Sequence, residues 1–89
     1  MAALRLMLDG RVRARIPLLG DRDRGIVAEN LAAIQEDPQK AGHPSFLRRA
    51  APGAWQHTCP HSFVVLYRWD TAPGHPADAV TIEDLVERL

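Results

Sequence analysis

The chain has 89 residues and one cysteine; 46% of its residues are hydrophobic and 25% are charged, and eleven basic side chains balance eleven acidic ones. This length fits a single domain, residues 1–89, with one modest core. Zero net charge disfavours a general nucleic-acid binder, and one cysteine excludes an internal disulfide. No apolar run approaches the ~20 residues of a membrane span. We therefore expect a cytoplasmic protein that does not associate with membranes.

The N-terminal part of the chain begins with a predicted strand, Leu4–Leu8, and continues into an ambiguous segment. Asp9-Gly10 between two alternating runs is typical of a hairpin turn. The following apolar residues also fall at helical spacing, with Asp9 as a cap; they are Val12, Ile16 and Leu19. The residues alone leave helix and strand open for 11–19.

The clearest helix is predicted over Asp21–Asp37, where one apolar stripe recurs at helical spacing: Val27, Leu31 and Ile34. Pro38 should end it, because the residue before a proline disfavours helical geometry. Gln39–Ser45 is expected to be a loop, and Phe46–Ala50 a short strand or a turn.

The second half of the chain is rich in strand-forming residues. Ser62–Trp69 is the densest β-branched and aromatic run, and alternation turns one set of side chains towards the core: Phe63, Val65, Tyr67 and Trp69. Trp55–Thr58 should be its antiparallel partner, joined by a turn at Cys59–Ser62. Ala79–Ile82 is the last predicted strand, and Glu83–Leu89 either extends it or forms a helical turn.

These elements predict an α+β fold in the order β-α-α-β-β-β. An N-terminal strand and one or two helices should pack on one face of an antiparallel sheet. The Ser62–Trp69 strand should lie in the interior of that sheet, with the helices against its aromatic side.

Candidate chemistry gathers at the predicted hairpin. His57 and His61 flank its turn, and imidazole is the natural acid or base near neutral pH, although turn histidines more often just face solvent. Cys59 lies between them. The spacing His57-x-Cys59-x-His61 could suggest a metal site, but Pro60 interrupts the strand and no fourth ligand follows at a recognisable spacing. We predict no metal and no cofactor.

Three arginines complete this set of candidates. Arg68 shares a strand face with Val64 and Leu66, and Arg48-Arg49 lies just before the hairpin. Arginine pairs of this kind contact phosphate or a partner's carboxylate. The ordinary alternative for each is a solvated surface charge.

The residues also resemble the RelE/ParE superfamily, the toxins of bacterial toxin–antitoxin pairs. The similarity rests on a helix ending in Glu36-Asp37-Pro38, a glycine-containing loop, Trp55 opening a strand, and FVVLYRWD at Phe63–Asp70 beside the family pattern YRVLYRVD. It extends from about Val12 to Arg88. It implies a RelE-like fold in which the ambiguous segment is a helix.

The resemblance also implies where catalytic groups would stand. In family members that cleave mRNA on the ribosome, basic side chains occupy the positions held here by Gln56, Thr58 and Val64. Phe63 stands in the position of a tyrosine, and Arg88 corresponds to an arginine after the last strand. Cleavage through the 2′-hydroxyl needs a base, an acid and positive charge on the phosphorane, so the loss of these groups weakens the enzymatic interpretation.

The resemblance therefore implies the toxin-like component of a type II toxin–antitoxin pair, with an antitoxin protein as partner. If it is an mRNA endoribonuclease, we expect a metal-independent enzyme that works on ribosome and mRNA. Its catalytic residues would be His57, His61 and Arg68, and its substrate-binding residues Arg48, Arg49 and Arg88. The alternative is a non-catalytic binding module, either a ParE-like inhibitor of DNA gyrase or an inactive toxin relative.

Overall fold

The computed structural model describes residues 4–59 and 63–87. The chain forms strand β1 (Arg5–Leu8), helix α1 (Gly10–Arg15), a 3₁₀ turn (Ile16–Leu18), helix α2 (Asp21–Glu36), a short helix α3 (Pro38–Ala41), and strands β2 (His43–Pro44), β3 (Trp55–Thr58), β4 (Phe63–Arg68) and β5 (Ala79–Glu87). The predicted α+β class is confirmed.

The strands form one five-stranded sheet in the order β1-β5-β4-β3-β2. β4 lies inside it, antiparallel to both β3 and β5, as its alternating pattern predicts. β1 pairs with β5 in parallel, so the sheet is mixed, which differs from the antiparallel sheet that the sequence predicts. The parallel pairing is possible because the helices and the other strands lie between β1 and β5 and form the long crossover that it needs.

The ambiguous segment after β1 is helical. The Asp9 side chain caps α1 by accepting a hydrogen bond of 3.0 Å from the backbone N–H of Arg11. Val12 is buried at 1% exposure. A hairpin at Asp9-Gly10 is absent because β1 pairs with β5, and the Asp9 N–H itself donates to the Ile82 carbonyl.

The core lies between the helices and one face of the sheet. The predicted stripe of α2 packs there against side chains from β4 and β5; the buried cluster is Val12, Val27, Leu31, Ile34, Cys59, Phe63, Val65, Tyr67, Val80, Ile82 and Leu85. Tyr67 is fully buried, and its hydroxyl donates to the Pro38 carbonyl at 2.6 Å. Trp69 follows the end of β4, half-buried against this core.

The segment after α2 differs from the predicted loop. Pro38 ends α2 but starts α3, because a proline suits the first turn of a helix, and the Asp37 carboxylate caps that turn at the Lys40 N–H. Gly42 then brings the backbone close to the sheet. A Cβ atom there would overlap the Gln56 carbonyl oxygen and lie 2.5 Å from the Tyr67 hydroxyl oxygen.

The remaining predictions concern the loops and the C-terminal strand. Phe46–Ala50 contains a turn, closed by a hydrogen bond from the Ala50 N–H to the Leu47 carbonyl. β5 continues through Glu87, so the extended alternative is correct as far as the structure describes it. The turn predicted at Cys59–Ser62 falls largely on 60–62, outside the described residues. Within residues 4–59 and 63–87, no helix has the length and apolar character to cross a membrane.

Candidate functional site: the open face of the sheet

The sheet has a second face, opposite the helices, which we call the open face. Strand register places Val64, Leu66 and Arg68 of β4 on it, together with Gln56 and Thr58 of β3. Leu66 is nevertheless only 2% exposed, because the loop between β2 and β3 (residues 45–54, the β2–β3 loop) folds over it.

A β-bulge brings two carboxylates onto the open face. Leu66 pairs with Asp84 whereas the next residue, Tyr67, pairs with Ile82, so Glu83 is an extra residue in β5. A bulge re-aims neighbouring side chains. Here Asp84 already lies on the open face through its pairing with Leu66, and the bulge turns Glu83 towards Arg68 of β4. The sequence carries no local signal for it.

Two of the predicted arginines, Arg68 and Arg49, contact these carboxylates. Arg68 Nε lies 2.6 Å from Glu83 Oε1, in contact but without hydrogen-bond alignment, and the two side chains are 36% and 18% exposed. Arg49 Nη1 lies 3.7 Å from Asp84 Oδ2, and its side chain is 63% exposed. The second pair is therefore the weaker one, since an exposed ion pair contributes at most about 1 kcal/mol.

A cleft of about 310 Å³ opens between the bulge and the β2–β3 loop. Its lining combines charged side chains with a small apolar floor: Arg11, Arg49, Ala51, Ala54, Leu66, Glu83 and Asp84. Two positive and two negative side chains in one lining leave no excess of positive charge. An anion entering the cleft would meet carboxylates as well as guanidinium groups.

His57 lies on the other face of the sheet, where it pairs with Val65. Its Nδ1 is 2.5 Å from the Ala41 carbonyl oxygen, and its Nε2 is 2.5 Å from Asn30 Oδ1. The Asn30 amide is oriented by its own donation to the Ile26 carbonyl at 2.6 Å. His57 thus links β3 to α2 and α3, and the structure does not bring it together with Arg68.

Two further polar groups of the core are held in their neutral forms. Burial raises the pKa of the Cys59 thiol to about 11, so the thiolate needed for nucleophilic chemistry is scarce near neutral pH. Burial, and secondarily the Asp37 carboxylate, raises the pKa of Tyr67. Neither group reaches the open face.

Three predicted site residues remain, and the structure describes one of them, Arg48. Arg48 is exposed in the turn of the β2–β3 loop, next to Arg49. His61 and Arg88 lie outside the described residues. In the part of the chain that the structure describes, no three His, Cys, Asp or Glu side chains are close enough together to hold a metal ion.

These features define a small α+β domain with helices on one side of a mixed five-stranded sheet and a charge-paired cleft on the other. No protein-family model matches the sequence, and no curated protein sequence matches it. Among solved structures, it is similar to a chain in the crystal structure of the toxin–antitoxin complex RelBE2 from Mycobacterium tuberculosis. The TM-score is 0.73 at 23% identity, over 98% of this chain and 100% of the other. The fold is RelE-like, as the sequence resemblance implies.

Proposed function

We propose that this chain is the toxin-like component of a toxin–antitoxin pair, that an antitoxin protein is its partner, and that it acts by binding rather than by cutting RNA. The observation that supports partner binding is the end-to-end similarity to a chain of a toxin–antitoxin complex. A shared fold hosts many activities, so the mode of action has to be argued from the site itself.

The charge pairing of the open face supports a binding protein over a ribonuclease. Cleavage of RNA builds up negative charge on a phosphorane, and that charge needs unpaired cations around it. Here Glu83 and Asp84 already hold Arg68 and Arg49. A carboxylate about 6 Å from a phosphate costs about 1.4 kcal/mol at an effective dielectric constant of about 40, which is roughly tenfold in rate.

The positions of the acid–base candidates support the same conclusion. His57 is engaged at both ring nitrogens on the opposite face of the sheet from Arg68. A general base must reach the proton that it removes, within hydrogen-bond distance or through one water. His57 cannot reach a substrate that is bound over Arg68 unless β3 separates from α2 and α3.

One observation favours RNA cleavage as the second candidate. Arg11 and Arg49 line the same cleft, and Arg68 stands beside it. A partner that drew Glu83 and Asp84 away would leave Arg68 and Arg49 free to contact a phosphate. In that case the ribosome and mRNA would be the partners.

Two experiments test the proposed function. The chain is expressed in a bacterium with and without the product of an adjacent short reading frame, and growth and co-purification are measured. We expect slowed growth that the second protein relieves, and a stable complex of the two. Unaffected growth together with no complex would contradict the proposal. A DNA-supercoiling assay with purified gyrase then shows whether gyrase is the bound target.

A further inference from the structure

Although the net charge is zero, acidic and basic residues are unevenly distributed along the chain. Residues 38–69 contain four of the eleven basic residues and none of the eleven acidic ones, which leaves seven basic and eleven acidic residues in the rest. This segment supplies β2, β3 and β4, which are neighbours in the sheet. Residues 38–69 therefore carry a net charge of +4, and the rest of the chain carries −4.

The β2–β3 loop belongs to this basic segment and has a defined structure. The Ser45 N–H donates to the Ala54 carbonyl at 2.9 Å, and the Ser45 hydroxyl donates to the Gln56 side chain at 2.9 Å. The same hydroxyl accepts from the Leu47 N–H at 3.2 Å. At the far end of the loop, Gly53 adopts a positive φ of 80°, where its backbone packs against Ala72. These contacts fix the backbone from which the tip of the loop projects.

The tip carries two apolar and two basic side chains in succession, Phe46, Leu47, Arg48 and Arg49, which we call the Phe46 surface. Phe46 is 87% exposed and Leu47 is 37% exposed, although both belong to residue types that are usually buried. The only aromatic neighbour of Phe46 among the described residues is His43, with ring centroids 6.5 Å apart. A large aromatic side chain on an ordered loop is typical of an interface anchor.

We propose that the Phe46 surface docks an acidic amphipathic segment of a protein partner. Phe46 and Leu47 would enter its apolar face. Its carboxylates would pair with Arg48 and compete with Asp84 for Arg49, whose side chain is 63% exposed. Charge complementarity gives the sign, because Arg48 forms no ion pair among the described residues and Arg49 meets only Asp84, at 3.7 Å. A protein segment fits better than a nucleic acid, since an aliphatic Leu47 packs on apolar side chains and offers no face for base stacking. The inference rests on the proposed function, because the antitoxin is the partner that would supply this segment.

The fixed backbone of the β2–β3 loop lowers the entropic cost of binding through the Phe46 surface. Ordering a flexible loop on binding costs part of the interaction energy, and a loop already fixed by hydrogen bonds avoids that cost. The loop holds itself through Ser45 and the turn at Leu47–Ala50. None of the four side chains of the Phe46 surface supplies those hydrogen bonds.

The test uses fluorescence anisotropy with synthetic probes and the full chain. One probe is a labelled 16-residue peptide with leucines along one helical face and glutamates elsewhere; the second replaces the glutamates with lysines; the third is a 12-nucleotide single-stranded RNA. We expect the acidic peptide to bind at least about 10-fold more tightly than the basic one. Phe46→Ala should weaken acidic-peptide binding by about 30-fold, the loss typical of an interface anchor. The double variant Arg48→Glu/Arg49→Glu should weaken it by at least about 10-fold.

Matched controls come from outside residues 38–69. Leu18 is 83% exposed, so Leu18→Ala removes a comparable apolar side chain, and Arg13→Glu/Arg22→Glu reverses two other exposed arginines. Neither should change peptide affinity. Absence of acidic-peptide binding, or equal binding by Phe46→Ala and the wild type, would overturn the inference. RNA binding that depends on Phe46 without acidic-peptide binding would overturn it in favour of a nucleic-acid surface.

Co-expression with the adjacent gene product separates this inference from the proposed function. A complex that forms equally well with wild type, Phe46→Ala and Arg48→Glu/Arg49→Glu would uphold the proposed function and overturn the Phe46 surface as the docking site. A wild-type chain that binds the acidic peptide through Phe46 but forms no such complex would uphold the docking surface and count against the toxin–antitoxin assignment.

Discussion

Removing the two carboxylates of the bulge should convert the open face into an anion-binding surface. The variant Glu83→Gln/Asp84→Asn keeps side-chain size and changes the net charge from 0 to +2. It releases Arg68, whose Nε lies 2.6 Å from Glu83, and Arg49, whose Nη1 lies 3.7 Å from Asp84. It also removes the two negative charges that an anion in the 310 Å³ cleft would meet.

The size of the effect follows from Coulomb's law. Two carboxylates, each about 6 Å from a bound phosphate, repel it by about 3 kcal/mol in total at an effective dielectric constant of 40. At physiological salt the screening length of about 8 Å reduces this to about 1.5 kcal/mol. We therefore expect the variant to bind a 12-nucleotide single-stranded RNA about 10-fold more tightly than the wild type does.

Fluorescence anisotropy at several salt concentrations measures this gain, which should be larger at low salt. The matched control is Glu29→Gln/Glu36→Gln, which makes the same change in net charge with two exposed residues of α2. An equal gain in the control would show that net charge alone is responsible. No gain in Glu83→Gln/Asp84→Asn would refute the idea that the bulge carboxylates neutralise the cleft.

Three stability predictions follow from the core, each measured by urea denaturation. Gly42→Ala should destabilise the protein by about 2 kcal/mol or more, because the added Cβ would overlap the Gln56 carbonyl oxygen in β3. Gly25→Ala in α2 should instead stabilise the protein by about 0.5–1 kcal/mol, because the added Cβ meets no atom within 4 Å beyond its own helix backbone. Tyr67→Phe leaves the Pro38 carbonyl without its donor and should cost about 1–2 kcal/mol; an unchanged midpoint would contradict the buried hydrogen bond. Because the native pKa of Cys59 is raised to about 11, the unfolded chain loses that proton first, near pH ~8.5. Stability should therefore fall by about 2 kcal/mol between pH 8 and 10, and Cys59→Ala should remove most of that loss.

The parts of the fold that the sequence predicted depend on local pattern. β4 is a run of β-branched, aromatic and leucine residues up to Arg68, and α2 carries an apolar stripe at helical spacing. Each element could therefore be located from its own residues. Residues 10–15 could not be assigned from their own pattern, because strand and helix periods fit them equally well. The helical conformation of residues 10–15 goes together with the parallel pairing of β1 and β5. That pairing joins segments more than seventy residues apart, such as Arg5 and Asp78, and no local pattern can reveal it.

The site was harder to predict because its geometry depends on strand register. In the hairpin, His57 pairs with Val65 and Gln56 with Leu66, so His57 faces the helices and cannot share a face with Arg68. This follows from the strand register alone, which the sequence pattern does not determine in advance. The bulge at Glu83 depends on how β5 meets β4, and no local pattern of residues signals it.

Primer extension on mRNA from cells expressing the chain tests most directly whether this RelE-like protein binds rather than cuts. We predict no new cleavage sites for the wild type, even when expression slows growth. Site-specific cuts in ribosome-bound mRNA that disappear in Arg68→Ala would contradict that prediction and would identify the charge-paired cleft as a working active site.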